Sequence, residues 1–164
     1  PQADGIDLET ILATFPETFE TIMVMEYFPG QEFSVDAFIG EKIAIAIPRE
    51  RTSIRSGISF SNRVIKDSYL IEASLEYGRS AGLTGVFGMQ FKKDTNDQFQ
   101  VLECNPRIQG TMVVAALSGA NIIQMQIDEL LSQKFDHDYL IDWDTVFQRY
   151  WGGYGFNEKG VLEI

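Results

Sequence analysis

Two segments with alternating side-chain character, residues 85–92 (GVFGMQFK) and residues 99–105 (FQVLECN), flank the short polar sequence DTNDQ. Asp and Asn residues favour a tight connection between antiparallel strands. Because successive side chains of a strand point to opposite faces, Phe87, Met89 and Phe91 are predicted to share one face and Gln90 to lie on the other. The chain is therefore expected to contain an antiparallel sheet built around this hairpin.

The rest of the sequence predicts further strands and several helices. Strands are expected at residues 21–28, 32–39 and 42–48, ended by turn signals and by Pro48, and they form an antiparallel meander. Residues 67–81 have the apolar spacing of an amphipathic helix, and residues 110–133 indicate two helices broken at Ser118-Gly119. Residues 49–63 lack apolar periodicity and are predicted to be a long loop. The expected fold class is α+β, with an antiparallel sheet flanked by helices.

The charge balance excludes some classes of partner. Thirteen Lys and Arg residues against 24 Asp and Glu residues give a formal net charge of -11, which repels nucleic acid and anionic membrane surfaces. No apolar run approaches the roughly 18 residues that suggest a membrane-spanning helix. A soluble, cytoplasmic protein that binds neither nucleic acid nor membrane is expected. The single cysteine, Cys104, is predicted to be a buried, unreactive core thiol.

The end of the predicted hairpin carries an unusual concentration of polar side chains. If the connection spans residues 95–98, Gln90 lies opposite Glu103, and Asn105 shares the face of Glu103. Oxygen ligands with few carboxylates suit Mg²⁺, which keeps several waters and is usually completed by phosphates. Arg107 follows Pro106 and could match a phosphate or carboxylate at the same patch. The alternative is an ordinary Glu103–Arg107 ion pair at a strand end.

Three motifs in this order resemble a known family. The sequence LECNPR, preceded by FGMQF and by MEYFPGQEFSVD, is similar to the carboxyl-terminal lobe of the ATP-grasp fold, most of all to the carbamoyl-phosphate synthase large-chain branch, over residues 22–131. The resemblance implies that Gln90, Glu103 and Asn105 hold one or two Mg²⁺ ions, or Mn²⁺, that bridge the ATP phosphates. It implies that Arg107 faces the transferred phosphoryl group or a small carboxylic acid substrate, which is activated as an acyl-phosphate for attack by an amine or another nucleophile.

The same resemblance implies a nucleotide site in the sequence MEYFPGQE. The carbonyl of Glu26 and the amide of Phe28 would meet the adenine edge, since a strand end offers one donor and one acceptor in fixed geometry, and Tyr27 between them would belong to the same cofactor-binding segment. The carboxylate of Glu32 would accept hydrogen bonds from the ribose hydroxyl groups. Without the resemblance, Pro29-Gly30 is a turn and Glu32 is a solvated edge residue.

Arginines are concentrated in residues 49–63 of an otherwise acidic chain. Such a cluster can focus the electric field on an anion, so Arg51 or Arg55 is predicted to contact a phosphate or the acid substrate. The alternative is that these arginines solvate a loop. Family context suggests that Asp36 holds the arginine segment, and a plain surface acid is the equal alternative.

The beginning of the sequence indicates that the chain is a piece of a longer one, because it starts without Met and runs directly into a helical pattern. Residues 1–20 are expected to be a remnant of the preceding lobe or a linker, 21–134 the ATP-grasp carboxyl-terminal lobe, and 135–164 an extension packed on that lobe. The resemblance implies an upstream lobe with phosphate-binding lysines, without which this fragment is expected to be inactive. A homo-oligomer remains open.

Three hypotheses of function follow from these observations. The first is an ATP- and Mg²⁺-dependent ligase. The second is a non-catalytic nucleotide-sensing or assembly domain with the same fold, although such a domain would have no physical need for all three ligands Gln90, Glu103 and Asn105. The third is an α+β interaction module whose polar strand end is only an ion pair.

Overall fold

The computed structural model describes residues 8–15, 25–132, 139–150, 154–157 and 160–163. Its elements, in chain order, are α1 (Leu8–Leu12), β1 (Glu32–Ile39), β2 (Ala44–Arg55), β3 (Ile58–Val64), α2 (Ser68–Ser80), β4 (Gly85–Lys93), β5 (Phe99–Asn105), α3 (Val113–Leu117), α4 (Ile122–Leu130), β6 (Val146–Gln148), β7 (Tyr154–Asn157) and β8 (Gly160–Glu163). Strands β5-β4-β1-β2-β3-β6 form one antiparallel sheet in that order, and β7 pairs with β8. The predicted α+β class is confirmed.

The sheet has helices on both faces, and β1 is its most buried strand. On one face, alternate β1 residues from Phe33 to Ile39 pack with Leu70 of α2 and with Phe87 of β4. On the other face, Phe38 packs in a second apolar cluster with residues of α3 and α4. Because both faces are covered, the side of β1 that carries Ser34, Asp36 and Phe38 is buried as well. Any charge on that side therefore needs a partner.

The helices follow the predicted positions. Asp67 caps α2, since its side chain accepts a hydrogen bond of 2.9 Å from the backbone N–H of Leu70. Asn121 caps α4 in the same way, by accepting from the N–H of Gln124 at 3.1 Å. The predicted break at Ser118-Gly119 separates α3 from α4, and Gly119 has a φ of 109°. No helix in the described part of the chain is long and apolar enough to cross a membrane.

The prediction of a long loop at residues 49–63 is wrong, because this segment forms most of the β2–β3 hairpin. Its turn is Ser56-Gly57, and both residues have positive φ angles, 49° and 77°, as a two-residue hairpin turn requires. The inward-facing residues Arg49 and Asn62 are polar although they are fully buried. The apolar alternation that normally marks a strand is therefore absent from the sequence.

Two strand boundaries also differ from the prediction. Pro48 lies inside β2, opposite Val35, rather than at its end. The missing N–H is tolerated because β3 pairs only with the part of β2 that begins at Arg49. The strand predicted at residues 21–28 is not present in its described part, 25–28, and residues 21–24 lie outside the described residues. Just after it, the N–H of Gly30 donates to the carbonyl of Lys93, at the end of β4, at 2.9 Å.

Cys104 is exposed, so the prediction of a buried core thiol is wrong. It lies near the end of β5, an edge strand of the sheet, whereas the ring contact of α2 with this strand, Tyr69 on Phe99, is at the strand's beginning. Partial burial still raises the pKa of the Cys104 thiol. Because the thiolate is the nucleophilic form, this shift disfavours reactivity, and the lack of reactivity stays a prediction.

Candidate active site

A β-bulge sets the pairing of the two strands that carry the predicted metal ligands. Lys93 pairs with Phe99 and Phe91 with Val101, but Gln90 pairs with Glu103, so that Leu102 is the extra residue on β5. The predicted juxtaposition of Gln90 and Glu103 is therefore present. Its origin differs from the prediction, because the connection is one residue longer than assumed and the bulge restores the register.

Two polar side chains near the end of β5, those of Glu103 and Asn105, contact each other. The Nδ2 atom of Asn105 donates a hydrogen bond of 2.7 Å to Oε1 of Glu103. Arg107 is exposed, and its guanidinium donates to the carbonyl of Ile108 at 3.1 Å. None of the ion pairs among the described residues joins Glu103 to Arg107. The strand end is therefore not the simple ion pair that the alternative reading expected.

Arg51 connects the predicted ribose carboxylate with the predicted metal ligands. Its guanidinium forms an ion pair with Glu32 and donates to Oε1 of Gln90 at 3.1 Å and to the carbonyl of Gly57 at 2.6 Å. Burial lowers the pKa of Arg51, and the nearby carboxylate of Glu32 opposes this effect. The structure thus brings Arg51, Glu32 and Gln90 into direct contact, which the sequence alone did not indicate.

A second arginine, Arg49, lies deeper and is held by the polar side of β1. Both Arg49 and Asp36 have side chains that are 0% exposed, and they form a two-point ion pair with distances of 2.8 and 3.0 Å. Arg49 also donates to Asn62 at 3.0 Å and to Gln109 at 3.1 Å. Asp36 is therefore a buried partner of the arginine segment, and the alternative of a surface acid is wrong.

Gln109 packs against a glycine that leaves room for it. A Cβ atom added to Gly88 would lie 1.9 Å from Nε2 and 2.1 Å from Cδ of Gln109. The amide group of Gln109 therefore fits only because residue 88 has no side chain. The hydrogen bond from Arg49 holds this amide in place.

We expect Gly88→Ala to lower the free energy of unfolding by about 1–3 kcal/mol, because the new methyl group displaces Gln109 from Arg49. Gly110→Ala is the matched control, since a Cβ atom at Gly110 would meet nothing within 4 Å. Urea unfolding of both variants measures the difference. Equal stabilities would show that Gln109 moves aside without loss.

Residues of β1 to β5, of the loop after β5 and of the segment after β6 line a cavity of about 360 Å³. Apart from Ile58, the described residues that line it are polar or small. They include three arginines and no acidic residue. The lining residues are Ser34, Arg51, Gly57, Ile58, Ser59, Gln90, Asn105, Arg107, Gln109, Gly110, Thr111 and Arg149. A concave, positively charged site in a chain of net charge -11 is suited to an anion.

The predicted residues do not all meet at this cavity. Arg51, Gln90, Asn105 and Arg107 line it, and Glu103 touches it through Asn105. Arg55 lies at the tip of the β2–β3 hairpin, where its guanidinium is 5.0 Å from the ring centroid of Phe60, and it is not part of the lining.

The predicted adenine segment lies near the carboxyl-terminal end of β4, three residues beyond Gln90. Glu26 and Tyr27 are exposed and Phe28 is half-buried. The ammonium group of Lys92 lies 5.3 Å from the ring centroid of Tyr27, and the N–H of Lys93 donates to the carbonyl of Gln31 at 3.0 Å. The backbone of this segment is therefore held against the strand that carries Gln90.

Sequence reasoning missed three polar residues of the cavity region. Arg49 was noticed only as a member of a cluster, and neither Gln109 nor Arg149 was singled out. Arg149 follows β6, a three-residue strand without a clear periodic pattern. For Gln109, the signal was its position directly after the motif LECNPR, in the sequence RIQG.

The oxygen atoms that the β4–β5 hairpin offers as metal ligands suit a hard cation. They belong to one exposed carboxylate, Glu103, and to the amide groups of Gln90 and Asn105. Within the described ranges, no group of three or more His, Cys, Asp and Glu side chains could hold a metal ion. A cation at this edge would therefore have one protein carboxylate and would take further ligands from water and phosphate, as Mg²⁺ does.

The structure thus combines an antiparallel sheet, a hairpin with polar side chains at its end and an arginine-lined cavity. The chain belongs to the ATP-grasp family: the family model described as "ATP-grasp in the biosynthetic pathway with Ter operon" matches residues 18–151. The predicted superfamily is thus confirmed. No curated protein matches the chain in sequence.

Solved structures show the same fold. Biotin carboxylase from Campylobacter jejuni, in a β,γ-ATP complex, has a TM-score of 0.61 at 19% identity, over 74% of this chain and 30% of that one. The N5-carboxyaminoimidazole synthase of Aspergillus clavatus, with ADP and 5-aminoimidazole ribonucleotide, has a TM-score of 0.59 at 16% identity, over 75% and 35%. The biotin carboxylase domain dimer of Hydrogenobacter thermophilus 2-oxoglutarate carboxylase, with MgADP and bicarbonate, has 0.56 at 15%, over 71% and 28%. The chain therefore spans about a third of the length of these proteins.

Proposed function

We propose that this chain is the metal-binding and substrate-binding lobe of an ATP-dependent ligase, which activates a small carboxylic acid as an acyl-phosphate for attack by an amine or another nucleophile. The observation that carries the proposal is the convergence of Gln90, Glu103 and Asn105 beside a cavity lined by arginines. Family membership and the nucleotide-bound structural neighbours support it.

The residues of the site have separate roles in this proposal. Glu103, with Gln90 and Asn105, would hold Mg²⁺, which would neutralise the charge of the ATP phosphates. Arg107 would bind the anions that react, because its guanidinium is exposed at the mouth of the cavity. Two anions must approach each other in phosphoryl transfer to a carboxylate, so fixed positive charge is the main requirement.

The nucleotide would lie along the end of β4. Glu26, Tyr27 and Phe28 would supply the adenine contacts, and Glu32 the ribose contact. Because Arg51 pairs with Glu32 and donates to Gln90, it would couple the ribose end of the site to the metal end. Arg55 would be a secondary anion contact outside the cavity, since it lies at the tip of the β2–β3 hairpin.

The reaction would be similar to that of the carbamoyl-phosphate synthase large chain, in a cytoplasmic protein that does not bind nucleic acid. Residues 21–134 would be the lobe proper, with 1–20 linking it to an upstream lobe and 135–164 packed on it. A homo-oligomer is compatible with the dimeric neighbour.

The proposal is tested by titrating the intact protein with Mg·ATP in a calorimeter and by measuring ADP release with a panel of small acids. We expect nucleotide binding that depends on Mg²⁺ and ADP release that depends on one acid. Nucleotide binding without ADP release for any acid would favour the second hypothesis, a nucleotide-sensing domain. The absence of Mg²⁺-dependent binding would favour the interaction module.

Arg107→Lys is expected to lower turnover about 100-fold while the protein folds normally, since lysine keeps the charge but loses the planar fork that matches a carboxylate or phosphate. ADP release and the melting temperature should be measured on one preparation. Arg79→Lys, at an exposed position in the last turn of α2, is the matched control. A large loss of melting temperature with full residual activity would assign Arg107 to folding.

A further inference from the structure

Arg149 reaches the cavity from a part of the chain that follows the predicted lobe. It comes directly after β6, which pairs with β3 through Ser61 and Gln148. The N–H of Arg149 donates to the carbonyl of Phe60 at 2.7 Å, so its backbone is fixed to the sheet. Its Nη2 atom donates to the carbonyl of Gly110 at 3.2 Å. The loop after β5 and the strand β6 therefore bring two guanidinium groups, those of Arg107 and Arg149, to one cavity.

The cavity contains buried hydrogen-bond donors that the protein does not satisfy. The Nε atoms of Arg51 and Arg149 and the Nε2 atom of Gln109 are buried and have no partner in the described structure. All three residues line the cavity. A buried donor without an acceptor is unfavourable, and the described lining offers no carboxylate to these donors. A ligand rich in acceptors would satisfy these donors.

The size and lining of the cavity limit that ligand further. A volume of about 360 Å³ is near the lower end of ligand sites, which are mostly apolar. Here Ile58 is the only large apolar residue among the described lining residues, and the others are charged, polar or small. An aromatic or long aliphatic acid would leave these polar groups unpaired. A small polar anion would satisfy them.

We propose that Arg149 is a substrate-recognising residue that binds a second anionic group of the acid substrate, so that the substrate is a small polar acid with at least two anionic groups. This inference rests on the proposed function. Arg107 lies next to the predicted metal ligands and serves the reacting carboxylate. Arg149 approaches from a separate strand and serves the other anion, for which its planar fork is suited.

The test uses malonate as a dianionic probe and acetate as a monoanionic one, each titrated into the intact protein without nucleotide. Wild-type protein is expected to bind malonate at least about ten times more tightly than acetate. Arg149→Met should weaken malonate binding about tenfold or more, on the scale of a lost charged hydrogen bond, and Arg149→Lys should weaken it less. Arg79→Met, on the exposed surface of α2, should change it less than about twofold.

Separate titrations with Mg·ATP keep this inference distinct from the proposed function. Neither Arg149 variant should change the Kd of Mg·ATP by more than about twofold, because Arg149 serves the acid and not the nucleotide. Failure of the wild-type protein to bind Mg·ATP would overturn the proposed function and leave the malonate result standing. Binding of malonate no tighter than acetate, or unchanged malonate binding in Arg149→Met, would overturn the inference. So would an equal loss of malonate and Mg·ATP binding with a lower melting temperature in both variants, since Arg149 would then only hold β6.

Discussion

Replacement of Glu103 by glutamine is expected to lower turnover about 1,000-fold, which is the largest effect on activity that we predict. Glu103 is the one carboxylate of the predicted metal ligands, and it receives a hydrogen bond of 2.7 Å from Asn105. The substitution keeps the shape of the side chain but removes the negative charge that would attract Mg²⁺. ADP release by the intact protein, measured over a range of Mg²⁺ concentrations, checks this prediction.

Gln90→Glu is the matched variant for this prediction. It adds a carboxylate on the opposite strand, and a carboxylate remains a good Mg²⁺ ligand. We expect a milder loss of turnover than in Glu103→Gln, with a changed dependence on Mg²⁺. Unchanged turnover in Glu103→Gln would refute the metal assignment, and a complete loss in Gln90→Glu would argue against direct ligation by Gln90.

Replacement of Arg49 by methionine is expected to lower the free energy of unfolding by about 3–5 kcal/mol, the largest effect on stability. The carboxylate of Asp36 would remain buried without its ion pair, and Asn62 and Gln109 would each lose a hydrogen bond. Urea unfolding monitored by circular dichroism measures the change. A loss as small as that of a surface substitution would show that water or a rearrangement reaches Asp36.

Two further variants separate the charge effect from the packing effect. Arg63→Met removes an ion pair with Glu50 in which the arginine is 49% exposed, so a far smaller change is expected. In the double variant Asp36→Leu with Arg49→Met, no buried charge is left unpaired. Its loss of stability should therefore be smaller than the sum of the two single losses, which a double-mutant cycle measures.

The parts of the fold that the sequence predicted well are those with apolar periodicity. Strands β1, β4 and β5 alternate with a period of two, and α2 has a helical apolar stripe between its capping residue Asp67 and Gly82. The strand predicted at residues 42–48 covers the first part of β2, but the rest of the β2–β3 hairpin gives no apolar signal, because its buried residues Arg49, Arg51 and Asn62 are polar. The strand β6 was missed because three residues are too few to show a period.

In the predicted site, too, local sequence pattern placed some residues correctly and left others unplaced. The motif LECNPR and the pattern around Gln90 were sufficient to place Gln90 opposite Glu103, although the bulge at Leu102 had to be seen in the structure. The pairing of Arg51 with Glu32 joins residues 19 positions apart, and the contact of Arg149 with Gly110 joins residues 39 positions apart. Local pattern does not specify which of several arginines makes such a contact.

The sequence by itself determined the alternation that makes the sheet, the helix caps, the acidic surface and the order of motifs that identifies the ATP-grasp family. Only the tertiary structure decided which polar residues are buried, because burial depends on which elements cover a face rather than on the residues of the face. Once α3 and α4 cover the side of β1 that carries Asp36, a buried carboxylate requires the charge of Arg49. That arginine in turn holds Gln109 against Gly88, at the wall of the cavity.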